Sequence, residues 1–527
     1  YTLTLPNDTG TSGQLLTTNG SGVTSWSTVS ASPSYSATAS GAIANGDPII
    51  VQANGTVKKP AQTITTSLVA ATDGQEFKSS VFGPAAAYDP VNKKGLIIYN
   101  DEGDSQTLKG KTVTIDNSLQ AASQITYGAE FTISTNAKAP LYGTNAAVYC
   151  DTAKLILVVY LGDDNDVECR TIDMSTSTPT VGSEVQINGN GGEIAAVYDS
   201  NADRVVVGYL YSNRKARVVN VTAGSNPSVG SEATVDSASQ NVSGSGNSWN
   251  ILVYDSSAQK VVNLYHKVNS FQTIKRGTAK VGTVDTSDDS ISFGSATDFH
   301  SSEANPKSAI YHPTAGKVIV TYHEIGDVDM YYAVGTVSGT GINFASSVQL
   351  FADQDSSDVH ELTYDSNTDL ILHTYERYSG SSANRILYAR TASISGNTIT
   401  FDSNEAQIYT NNKNFDHSSS YFDSDQNRVL VVARNSTNSN TGEGWSIRTG
   451  TRTSDLTAEN YIGIADGAYA DGATATVQIV GSVDDAQSSL TPGQSYFVQF
   501  DGSLALTPDD TSVFAGTAVS ATKLIVK

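Results

Sequence analysis

Apolar and polar positions along the chain fall into one phrase that is written seven times. In "AAVYDSNADRVVVGYL" (195–210) an apolar run closes on a tyrosine, a polar stretch of Asp, Ser and Asn follows, and a second apolar run begins. Such a stretch between two apolar runs predicts a tight turn joining two antiparallel strands. The other copies are "AAAYDPVNKKGLIIYND", "AAVYCDTAKLILVVYLG", "ILVYDSSAQKVVNLYHK", "SAIYHPTAGKVIVTYHE", "ELTYDSNTDLILHTYER" and "SSYFDSDQNRVLVVARN". Their anchor aromatics are Tyr88, Tyr149, Tyr198, Tyr254, Tyr311, Tyr364 and Phe422. Eleven residues on stand the landmarks Tyr99, Tyr160, Tyr209, Tyr265, Tyr322, Tyr375 and Ala433. Fixed spacing inside each hairpin and variable spacing between hairpins describe one unit joined by variable loops.

A third strand follows each hairpin, as in "KARVVNVT" and "MYYAVGTVS", and a fourth follows in most copies, as in "VGSEVQIN" and "FASSVQLF". Four antiparallel strands recurring every ~50–60 residues form a propeller blade. The second strand is apolar on both faces, which suits a strand sandwiched between blades. The first is rich in small residues, which suits the crowded axis. The seventh copy ends at "WSIRTGTRTS" (445–454) with no fourth strand, and "TITTSLVAATDGQEFKSS" (63–80) has no hairpin of its own. The earlier segment is therefore expected to supply the missing strand and close the ring, which removes two open edges. An open solenoid is the competing architecture.

The flanks 36–61 and 460–527 carry short strands between "NG", "DG" and "PG" turns. They read as one small domain split by the propeller, with two separate β-modules as the alternative. The expected fold is all-β: a seven-bladed β-propeller of four-stranded antiparallel blades inserted into a small β-barrel-like domain. The expected segments are 1–33, an extended N-terminal oligomerisation segment; 34–62 and 455–527, the two parts of the small domain; and 63–454, the propeller.

Composition narrows the function classes. Only 16% of the 527 residues are charged and the formal net charge is −22. That field repels phosphate backbones and anionic bilayers, which argues against nucleic acid as a partner. No apolar stretch approaches the length of a membrane span, about 18 residues, and no secretory signal is read. The chain opens on Tyr1, from which a processed chain or a piece of a longer one is expected. Cys150 and Cys169 are too few for a disulfide framework; two inert thiols are expected in preference to a bridge.

The wording of both ends carries a resemblance. "YTLTLP…GTSGQLLTTNGSGVTSW" is similar to a segment seen in tail-fibre and other structural proteins of phages, especially marine ones. "IGIA…GATATVQIVG…LTPGQSYFVQFDGSLALT…AGTAVSATKLIVK" resembles the β-rich end modules of those proteins and, more loosely, head-decoration domains. The resemblance covers roughly a fifth of the chain. It implies a virion surface protein, a homotrimer contacting other virion proteins and host cell-surface polysaccharide. A head or tail decoration protein and a polysaccharide-degrading propeller enzyme are the alternatives.

Candidate chemistry lies where inner strands begin and second strands end. Asn145, Glu193, Trp249, Lys307, His360 and His417 precede the anchors; Asn100, His266, His323, Glu376 and Arg434 follow the landmarks. Planar donors and acceptors beside Trp249 describe a face for sugar hydroxyls, with Trp249, Lys307, His360 and His417 at its centre. A solvated rim without ligand is the plain alternative. No G-x-S-x-G, H-E-x-x-H or P-loop pattern occurs, and the turns lack the Trp and fixed Gly of sialidase-type Asp boxes. The chain is therefore read as not an enzyme and as needing no cofactor. Asp163, Asp164 and Asp166 form an acidic turn able in principle to hold Ca²⁺, although their spacing is not that of an EF-hand.

Overall fold

The computed structural model describes the chain apart from residues 1–3, 5, 12–13, 19, 29–32, 71–73, 120–122, 138–145, 241–249, 269–274, 301, 325–328, 352–358, 379–384, 404, 410–414 and 510–511. Among the described residues the regular structure is β-strand and no α-helix forms. The strands divide into two compact units, Thr66–Gly450 and Tyr1–Thr65 with Thr451–Lys527.

The first unit is the propeller. Seven antiparallel sheets among the described residues form its blades. Their inner strands are Val81–Asp89, Ala146–Cys150, Ala195–Asp199, Asn250–Asp255, Ala304–His312, His360–Asp365 and Phe415–Asp423, here blades one to seven. Each inner strand packs beside the next, and the seventh packs beside the first. In blade three, Ala195–Asp199, Arg204–Tyr211 and Asn213–Asn220 run outward in order. Val205, Val206 and Val207 of its second strand are fully buried because neighbouring blades cover both faces.

In blade seven, Phe415–Asp423, Arg428–Asn435 and Thr441–Ser454 are followed at the edge by Gln62–Ala70, with Gln75–Lys78 on the same third strand. Gly442 pairs with Lys78 and Glu443 with Glu76. The outer strand of the last blade thus comes from the chain ahead of the first.

The fourth position of every blade is filled by two segments rather than one continuous strand. In blade two Thr180–Val181 and Val185–Asn188 both pair with Val167–Asp173. Across the break Gly182 N still donates to Thr171 O at 2.8 Å, and Gly128, Gly230 and Gly294 repeat the bond. Ala345 and Asp402 make the same bond in blades five and six, so glycine is required only where the next blade crowds the break: a Cβ on Gly230 would stand 1.8 Å from the carbonyl oxygen of Asp289.

The repeated turn has a simple chemistry. Asp199 Oδ1 accepts from the N–H groups of Asn201 and Ala202 at 3.0 and 2.9 Å, and Asp89, Asp255, Asp365 and Asp423 do the same in their blades. The residue that ends each turn is left-handed: Lys93, Lys154, Asp203, Gln259, Gly316, Asp369 and Asn427 have φ of 51–63°. Such four-residue loops suit a type I turn closed by one left-handed residue.

The landmark tyrosines are core residues with a polar tip. All six are fully buried. Tyr99, Tyr160 and Tyr209 donate to Glu130, Glu184 and Glu232 at 2.7–2.9 Å, and Tyr375 donates to Glu405. These acids sit just after the break in the outer strand, in "GAE", "GSE", "GSE" and "SNE". Each bond therefore ties the second strand to the blade's outer edge. The anchor aromatics are half-buried, and Tyr254 and Tyr311 reach the turn of the preceding blade, accepting from Asn201 N and Ser257 N.

The second unit interleaves residues from both ends of the chain. One sheet orders Ser34–Thr38, Thr474–Gln478, Tyr461–Ala465, Pro48–Val51 and Val57–Lys58. A second orders Val483–Asp484, Lys523–Val526, Val513–Ser520, Ser495–Val498 and Leu504–Ala505. Ile50 and Ile464 of the first share a core with Val498, Val513 and Leu524 of the second. Gln14–Thr18 and Thr24–Thr28 form a separate two-stranded hairpin.

Candidate functional site

The inner strands surround a cavity of about 300 Å³ on the propeller axis. Its wall changes character around the ring. Blades one to three present Ala85, Ala86, Ala146, Ala147, Ile194, Ala195 and Ala196; blades four to seven add the polar Asn250, Lys307, Ser308, Glu361, Ser418, Ser419 and Ser420 beside Ile251, Leu252, Ala309 and Leu362. The alanine column of the repeat accounts for the first half. In that column blade six carries Glu361 and blade seven Ser419.

Two bulges shape the polar half. The ladder slips between Pro306 and Ser308, leaving Lys307 as the extra residue, and again between Asp416 and Ser418, leaving His417 with φ 47°. A bulge re-aims a side chain that a regular strand would place elsewhere; Lys307 thereby lines the cavity. Pro306 has no N–H to give to the ladder, which suits it to that position.

Glu361 is held by blade seven. Ser418 Oγ donates to its Oε1 at 3.0 Å, and Thr363 and Ser420 share a hydroxyl–hydroxyl bond at 2.6 Å beside it. Burial in the channel pushes the Glu361 carboxyl up to about 8, against the pull of the Ser418 and Ser420 hydroxyls. A carboxyl raised this far holds its proton well above the usual carboxylate range, and in that form it can both donate and accept.

The other candidates go elsewhere. His266, His323, His360 and Glu376 are buried. His266 Nε2 lies 3.8 Å from Glu303 Oε1, and Glu376 Oε1 accepts from Phe415 N at 2.9 Å. Arg434 grips Asp416 through Nε and Nη2 at 2.5 and 2.6 Å and lies over the Phe82 ring. His417 Nδ1 is 3.2 Å from the same Asp416. Glu193 pairs with Arg214 at 2.9 Å, and Asn100 donates to Gln106 O. The expectation of an open face of polar groups is corrected: among the described candidates only Lys307 lines the cavity, and the others are drawn into contacts within or between the blades. Trp249 and Asn145 lie outside the described residues.

Asp163 and Asp164 are exposed, while Asp166 accepts from Gln186. Among the described residues no three His, Cys, Asp or Glu side chains converge on a point fit for a metal. Cys150 and Cys169 are free and buried.

Sequence reasoning passed over Glu361, His373 and Arg390. The first two had a visible signal. Glu361 occupies the alanine column, and His373 occupies a column held by Ile97, Val158, Val207, Val320 and Val431 in five other blades and by Asn263 in blade four.

No protein-family model and no curated protein sequence matches the chain. Solved structures of similar fold do. AofleA from Arthrobotrys oligospora is 11% identical over 68% of this chain and 93% of its own, with a TM-score of 0.36. An oligogalacturonate lyase from Vibrio parahaemolyticus is 9% identical over 77% and 98%, TM-score 0.39. A putative 6-phosphogluconolactonase from Bacteroides uniformis is 8% identical over 71% and 99%, TM-score 0.45. These likenesses speak to the all-β propeller fold alone. They also correct one expectation. Propellers named as a lyase and a lactonase stand among the similar folds, so missing motifs are no ground for reading the chain as not an enzyme.

Proposed function

We propose that the axial cavity binds a saccharide and that the chain is a phage virion surface protein, of tail-fibre type, that holds host polysaccharide through it. The observation that carries the binding reading is the two-sided wall. A sugar ring offers an apolar face and a rim of hydroxyls; the cavity offers an alanine arc opposite a carboxylic acid, an ammonium and serine hydroxyls. Its volume lies at the lower end of small-molecule pockets, roughly 300–1,000 Å³, which suits a terminal sugar better than a long chain. The virion setting rests on the wording of the two ends.

A glycan array probed with the full chain tests the reading. Binding that is lost in Ser419→Val with Lys307→Met, and kept in the surface change Asp164→Asn, supports it. Binding unchanged by the cavity variants rejects the cavity as the site. A chain that binds no glycan and adds only mass to the virion is the decoration alternative.

A second reading has its own support. Glu361 holds its proton well above the usual carboxylate range, as a general acid for glycosidic bond cleavage must. In this reading Glu361 protonates the leaving oxygen of a bound polysaccharide, a water molecule supplies the hydroxyl that the anomeric carbon takes, and the proton that water releases restores the carboxylic acid. New reducing ends or unsaturated ends, formed by the parent and absent with Glu361→Gln, would favour it over simple binding.

A further inference from the structure

We infer that the seam between blades five and six holds a small inorganic anion, of halide size, on Arg390 and His373, with His360 fixing the tautomer of His373. The site stands apart from the axial cavity and does not depend on the saccharide reading.

The three side chains come from successive strands of blade six. His373 and Arg390 are direct cross-strand partners, and His360 lies opposite Tyr375, two residues from His373. With a side-chain period of two, all three leave the same face of the sheet. That face is turned to blade five: the Arg390 guanidinium lies 4.4 Å from the Phe351 ring centroid, and 3.9 and 5.2 Å from those of Phe401 and Tyr375. His373 is fully buried, His360 is 3% exposed and Arg390 is 9% exposed.

Four of their nitrogens have nothing to bond. Arg390 Nε and Nη2, His373 Nδ1 and His360 Nε2 are closed to solvent and have no hydrogen-bond partner among the described residues. A guanidinium stays charged under all ordinary conditions. Glu405 is the carboxylate whose field Arg390 feels, and it already serves Tyr375 and Arg377. Lys307 and His323 of blade five add further positive field at His360. A buried cation without a counter-charge is costly, as is each buried donor without an acceptor.

The histidines set the hydrogen-bond pattern. His360 Nδ1 and His373 Nε2 are 3.4 Å apart, so one of them must carry the proton between the rings. Burial and the nearby cations hold both rings neutral. A neutral pair then has one N–H left to turn outward. With that N–H on His373 Nδ1, the Arg390 end presents three donors and no acceptor. A metal cation is repelled by such a set; an anion completes it. Closure to solvent and aromatic rings around the guanidinium restrict the occupant to a small ion.

The test uses bromide as the probe and the full chain. Thermal unfolding is followed in gluconate buffer as bromide replaces gluconate at constant ionic strength. The parent midpoint is expected to rise with the logarithm of bromide, by roughly 1–2 °C for each tenfold above half-saturation. Arg390→Met keeps the stacked stem and removes the charge; its midpoint is expected not to respond. A flat response in the parent, or an equal response in both proteins, overturns the proposal. Should Arg390→Met fail to fold, anomalous diffraction from bromide-soaked parent crystals decides. A peak within hydrogen-bond reach of Arg390 and His373 upholds the site, and a seam without one overturns it.

Discussion

Ser418 Oγ and Glu361 Oε1, 3.0 Å apart, join the inner strands of blades seven and six inside the axial channel. The bond belongs to a carboxyl that keeps its proton in the folded chain up to about pH 8, whereas the unfolded chain releases it near the ordinary value of 4.5. Its contribution to stability is therefore full below about pH 4.5 and is lost as pH rises toward 8. Glu361→Gln cannot titrate. Urea unfolding at pH 5, 6, 7 and 8 should show the parent losing stability relative to the variant by up to about 1.4 kcal/mol per pH unit. Parallel curves for the two proteins would place Glu361 in contact with bulk water.

Tyr209 separates packing from hydrogen bonding. Its ring is fully buried, and its hydroxyl donates to Glu232 and accepts from Arg217 Nε at 3.3 Å. Tyr209→Ala should cost about 3–5 kcal/mol through the cavity it leaves. Tyr209→Phe should cost about 1.5–3 kcal/mol, the range for a hydrogen bond to a charged group. Chemical denaturation of both variants measures the split.

Gly230 is expected to tolerate no side chain. Its Cβ would collide with the Asp289 carbonyl oxygen of the next blade, a backbone atom that cannot step aside. Gly230→Ala should destabilise the ring by on the order of 2–4 kcal/mol, whereas Gly192→Ala, where nothing lies within 4 Å, should stay within about 0.5 kcal/mol. Melting of the two variants side by side checks the contrast.

Both thiols should be silent in the native chain. Cys150 and Cys169 are 1% and 0% exposed, and burial pushes each thiol up to about 12. Ellman's reagent at pH 8 should titrate no thiol before denaturant is added and two afterwards, since the thiolate is the reacting form. Rapid reaction of the native chain would contradict the buried placement.

The hairpin Gln14–Thr18 with Thr24–Thr28 leaves Leu15 and Leu16 exposed, and a lone two-stranded ribbon is marginal in water. We propose homotrimer formation through this segment. Light scattering should give three chain masses for the full chain and one for 34–527; one mass for both rejects the proposal.

The blades were legible because a hairpin with fixed internal spacing leaves its own signature. The split outer strand was not. "VGSEVQIN" reads as one extended run, and the break falls at Gly182, where a Cβ would meet Thr171 of the strand it pairs with, a contact that a single strand's pattern does not encode. The site residues illustrate the same limit. Lys307 was singled out and does line the cavity, because the bulge after Pro306 turns it inward. His360 was singled out for an open face and lies in a seam, because its partner His373 stands thirteen residues away on the adjacent strand. Glu361, its direct neighbour, faces the channel instead. Alternation along one strand separated the two, and polarity alone could not say which would be wet.

The pairing of Lys78 with Gly442 orders events in time. The strand that completes the last blade leaves the ribosome some 360 residues before its partner exists. Until then the strands Gln62–Ala70 and Gln75–Lys78 have no sheet to join, and six blades stand as an open arc with two raw edges. Closing so long a loop adds little to the equilibrium cost but defers the ring to the final step of folding. A nascent chain stalled before residue 441 would carry an accessible edge, open to a neighbouring chain's early strand. Premature termination in the seventh blade should thus yield chains that exchange strands between molecules, while termination beyond residue 454 should not.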